Sequence, residues 1–73
     1  MTSTPWEQYV RRLATDAWSL DANATQRLVR QIRALVAADH LTDQSIAEVL
    51  YDSGVQESSA DLIAPSIRVA IVA

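Results

Sequence analysis

Apolar and polar positions alternate along this chain at helical spacing in three clear stretches and a fourth, interrupted one. Between Pro5 and about Leu20, the residues Trp6, Tyr9, Val10, Leu13, Ala17 and Leu20 fall in one arc at about 100° per residue, with Glu7, Gln8, Arg11, Arg12, Thr15 and Asp16 outside it. The stretch "TPWE" predicts how this helix begins. Thr4 can cap the Glu7 amide, Glu7 can reach back to Thr4, and Pro5 sits at the first helical position, where its missing N–H is not needed.

After the turn "LDANAT", where Asp21 and Asn23 are cap residues and Gln26 completes a capping box with Asn23, a second helix is expected from about Ala24 to Asp39. Its apolar arc is Leu28, Val29, Ile32, Leu35 and Val36, and Arg27, Arg30 and Arg33 gather on the opposite flank. A third helix should start at Asp43, capped by Thr42, with Leu41 packing on Ile46 as a hydrophobic staple. Ile46, Val49 and Leu50 turn inward. Gly54 supplies the left-handed residue that ends the helix near Ser53, and Val55 supplies the hydrophobic contact usual just after such an end.

The last third is ambiguous. Ser58 and Asp61 form a weak start signal, and Pro65 interrupts the helix they would begin. Either Pro65 opens a final helix through Val72, or "IRVAIVA" is a strand in which Ile67, Val69 and Ile71 alternate with Arg68, Ala70 and Val72. A lone strand would need a second chain to pair with, so helix is the preferred reading. The expected fold is all-α: one helical domain over residues 1–73, a small bundle of three helices plus a short, proline-broken C-terminal helix.

Length sharpens this picture. A chain of 73 residues builds a core near the lower limit for unaided folding. With no cysteine there is no disulfide framework and no thiolate metal site, so packing alone must hold the fold, and a partner or a second copy would help it. The missing cysteines fit a reducing cytoplasm, and no charged-then-apolar N-terminal segment signals secretion. The longest apolar run, in "ADLIAPSIRVAIVA", is too short to span a bilayer and carries Arg68. A soluble cytoplasmic protein is expected, with no membrane partner.

The net charge is -3 and every basic residue is an arginine, a bias that fits a GC-rich bacterial or phage genome. An acidic chain repels a phosphate backbone on average. Residues 41–71 do have the outline of a helix-turn-helix, but the segment after Gly54 offers Glu57, Asp61, small side chains and only Arg68 to a duplex. A DNA-associated regulator with a degenerate motif is therefore the second reading.

Catalytic signals are missing. His40 is the only histidine, Gly54 the only glycine, and neither Ser45 nor Ser53 has an arranged base, so no enzyme, cofactor or metal is expected. His40 is expected to cap the end of the second helix. "DSG" at 52–54 shares two residues with the Asp-Ser-Leu motif of acyl carrier proteins, but Gly54 stands where the leucine belongs, and the comparison is set aside. Binding remains. Arg27, Arg30 and Arg33, with the bordering aromatics Trp18 and Tyr51, are the candidate contacts for a protein partner. Ile67, Val69 and Ile71 are the candidate self-association residues of a homodimer, or of a structural subunit joined through its C-terminal apolar segment. The expected function is a non-enzymatic regulator, adaptor or inhibitor of another protein.

Overall fold

A computed structural model describes residues 4–72, and every regular element in it is an α-helix. The order is α1 (Pro5–Asp16), α2 (Ala22–Ala37), α3 (Asp43–Asp52) and α4 (Glu57–Val72). Each helix packs on its neighbours in the chain, and α4 returns to α1 to close the ring. The pairs α1–α3 and α2–α4 do not meet.

Local chemistry explains most of the boundaries. Thr42 caps α3 by accepting a hydrogen bond from the Ser45 amide at 3.0 Å. Asp21, rather than Asn23, caps α2, accepting from the Ala24 amide at 2.7 Å, so α2 starts two residues earlier than the Asn23–Gln26 box implies. Thr4 makes no side-chain cap, and the Glu7 carboxylate bonds Arg33. The first helix also stops short of Leu20: the chain turns through Ala17–Ser19, Ser19 adopts φ 52°, and Leu20 swings back to pack on the core.

Two helices end in the same hydrogen-bonded turn. After α3, Gly54 sits at φ 98°, its amide donates to the Tyr51 carbonyl, and the amide of buried Val55 donates to Leu50. After α2, Asp39 takes the left-handed position at φ 58°, and the His40 amide donates to the Leu35 carbonyl at 3.0 Å. His40 thus closes α2 with its backbone, and its side chain is exposed.

The largest correction concerns α4. It is neither a strand nor a short helix opened by Pro65, but one 16-residue helix with Pro65 in its interior. Proline deletes one hydrogen bond and crowds the preceding turn, which disfavours a helix without forbidding it. Here the residues on both sides of Pro65 pull the segment into one piece, because Ala60, Ala64 and Ile67 are buried on the same face. Ile67 is therefore part of the chain's own core and not a self-association residue; Ile71 also packs on that core, and only Val69 is left outside.

All four helices feed one hydrophobic cluster. Val10 from α1, Leu28, Val29 and Ile32 from α2, Ile46 and Leu50 from α3, and Ile67 from α4 are fully buried. Such side chains contribute about 1.5–3 kcal/mol each. The small side chains of Ala47, Ala60 and Ala64 allow α3 and α4 to approach closely, and this pair makes the most extensive interhelix contact. Small residues also correct the predicted arcs. Ala14 and Ala47 are buried, whereas Trp6, Tyr9, Leu13 and Val49 cover the edges and Val36 is exposed.

Candidate functional site

The arginine flank of α2 divides on folding. Glu7, outside the predicted arc of α1, is buried at the α1–α2 seam, and Arg33 donates to its Oε1 from Nε at 3.1 Å and Nη2 at 2.5 Å. Arg11 spans the same seam to Gln26 Oε1 at 3.0 Å. Arg33 is thus exposed but tied to α1 by an ion pair, while Arg27 and Arg30 are exposed with no ion pair among the described residues.

Trp18 lies in the turn after α1, half-buried against the core and lining a shallow pocket with Gly54, Val55, Gln56 and Ser59. Tyr51 lies elsewhere. Its hydroxyl donates to Asp61 Oδ1 on α4, which ties this side chain of α3 to the α3–α4 edge. The hydrogen bond to Asp61 pushes the Tyr51 pKa up to about 12, helped by desolvation and by the negative charges of Asp61, Glu57 and Glu48.

That cluster belongs to an acidic edge. A groove of about 280 Å³ between α3 and α4 is lined by Asp43, Glu48, Tyr51 and Asp61 over a floor of Ala47 and Ala64. Arg68 offsets one of these charges, its Nε donating to Asp43 at 2.5 Å, and leaves Glu48 and Asp61 with no ion pair among the described residues. Charge is in fact segregated along the chain. Arg11, Arg12, Arg27, Arg30 and Arg33 against Glu7, Asp16 and Asp21 leave residues 4–37 with +2; Arg68 against Asp39, Asp43, Glu48, Asp52, Glu57 and Asp61 leaves residues 38–72 with −5.

Beside the acidic edge lies the surface that the strand-like alternation concealed. Ser58, Leu62, Pro65, Ser66, Val69 and Val72 are all exposed, all uncharged and, at helical spacing, on one side of α4. Leu62 is 82% exposed, Val69 55% and Val72 68%, three of the five exposed large apolar side chains among the described residues. Leu62 could have been found from sequence by asking which residues stand seven and ten positions apart on a continuous helix. Pro65 discouraged that question.

Among the described residues no group of three or more histidine, cysteine or acidic side chains is close enough to hold a metal ion, and no helix is long and apolar enough to cross a membrane. Comparison with protein-family models, curated proteins and solved structures gives no match, so function has to be argued from these residues.

Proposed function

We propose that this chain is a small four-helix bundle whose function is binding: a non-enzymatic regulator, adaptor or inhibitor of another protein. The observation that carries this reading is the uncovered apolar side of α4. Its core side is completed by Ala60, Ala64 and Ile67, so Leu62, Val69 and Val72 contribute little to the chain's own packing. Solvated apolar side chains aligned on one helix face mark interaction surfaces, whereas isolated ones do not. This moves the proposed contact from Arg27, Arg30, Arg33 and Trp18 to the outer side of α4, with Tyr51 at its acidic border.

Charge argues against the DNA-associated alternative. Residues 38–72 contain the whole helix-turn-helix-like segment and carry a net charge of −5, which opposes phosphate. Self-association is the remaining alternative.

The test is site-specific photocrosslinking. A photoreactive residue replacing Leu62 should form an adduct with a different protein in the organism that encodes this chain, and Val69→Glu should abolish it. A crosslinker at Arg30 should give no such adduct. Absence of any adduct from position 62 would remove the proposal.

A further inference from the structure

We propose that the outer side of α4 and the α3–α4 edge beside it dock a basic amphipathic helix supplied by a partner protein. This deepens the protein-binding reading and rests on it. α4 is roughly 24 Å long at the rise of an α-helix, and its exposed apolar side chains from Leu62 to Val72 occupy about 15 Å of it, nearly three turns along which another helix can lie. Its two borders differ. On one side stand Glu57, Asp61 and Arg68, with Glu48 and Asp43 across the groove, four carboxylates against one guanidinium; on the other stand Ser59, Ser66 and Ala70, with no charge. An occupant that buries Leu62 and Val69 and also answers this asymmetry carries an apolar stripe with lysine or arginine along one flank.

The same asymmetry argues against a second copy. A second copy's α4 brings its own Glu57 and Asp61 with a single Arg68 that is already paired to Asp43, so it offers the acidic border far less positive charge than a basic helix does. A basic helix gains from the acidic groove as well as from the apolar stripe. Anionic lipid is disfavoured by the same charges.

Fluorescence anisotropy with designed peptides tests this on the full chain. The probe is a leucine–lysine peptide with leucines on one helical face; its comparators are the same composition scrambled and a leucine–glutamate version. The leucine–lysine helix should bind at least about tenfold more tightly than either. Leu62→Ser with Val69→Ser, both solvent-exposed and so compatible with folding by circular dichroism, should weaken it about tenfold or more. Glu48→Gln with Glu57→Gln should weaken it severalfold and flatten its salt dependence. Equal binding of the scrambled or acidic peptide, or indifference to the serine pair, would overturn the proposal. So would a wild-type dimer in sedimentation that Leu62→Ser disperses. If the adduct from position 62 maps to a segment with no basic flank, this inference fails while the protein-binding reading survives.

Discussion

The Arg33 guanidinium donates twice to one oxygen of Glu7, joining the middle of α2 to the first turns of α1. The two ends of the pair are unequally wetted: the Glu7 side chain is 10% exposed and the Arg33 side chain 56%. Removing the arginine therefore strands a nearly dry carboxylate, whereas removing the glutamate frees an arginine already half in water.

That asymmetry has a measurable outcome. Arg33→Ala should lower the unfolding free energy by about 1–2 kcal/mol in urea, below the range for fully buried pairs because the arginine is half wetted. Replacing both residues with leucine should recover most of the loss. Equal losses from the single and the double replacement would show that the pair contributes by packing and not by charge.

The left-handed residues after α2 and α3 give opposite expectations. Gly54 has φ 98° and open space where a Cβ would go, so Gly54→Ala meets no neighbour and acts through backbone strain alone, costing about 1–2 kcal/mol. Asp39 holds the matching position at φ 58°, so Asp39→Gly should leave stability unchanged or raise it by up to about 1 kcal/mol. Thermal midpoints of the two variants should move in different directions. Parallel decreases would mean that the Asp39 side chain matters more than its backbone.

Pro65 lies exposed in the interior of α4. Pro65→Ala restores the missing N–H without touching the core, and should stabilise the chain by about 1–3 kcal/mol. It should also increase helical ellipticity. Loss of stability would mean that α4 depends on the proline's geometry to seat Ala64 and Ile67.

Tyr51 should titrate late. In a Tyr9→Phe background, its phenolate absorbance should rise around pH 12, and Asp61→Asn should bring the transition back toward the ordinary value near 10. Because folding raises the pKa of this acid, its protonated form is the favoured partner of Asp61. The linked stabilisation is fully present below pH 10 and is lost as pH climbs through about 12. A transition that ignores Asp61→Asn would separate the two side chains in solution.

The apolar spacing within single segments determined that the chain is helical, and cap chemistry determined where α3 begins and ends. Thr42, Gly54 and Val55 act within a few residues of one another, so their roles are legible without knowing what packs where. The arginine flank was legible as a pattern for the same reason. Its division was not, since the Glu7–Arg33 pair spans 26 positions and only the α1–α2 seam brings it together. The same pair takes the carboxylate that the predicted capping box assigns to Thr4.

Tertiary structure alone decided the fate of residues 57–72. Locally, Pro65 argues for a break and the alternation of Ile67, Val69 and Ile71 admits a strand. Burial of Ala60, Ala64 and Ile67 against α1 and α3 outweighs the hydrogen bond that Pro65 cannot make, because apolar burial summed over a helix face exceeds one local backbone defect. Once that face is buried, helical geometry leaves Leu62, Val69 and Val72 outside. No reading of neighbouring residues could assign them there, since which side of a helix meets water depends on what packs against the other.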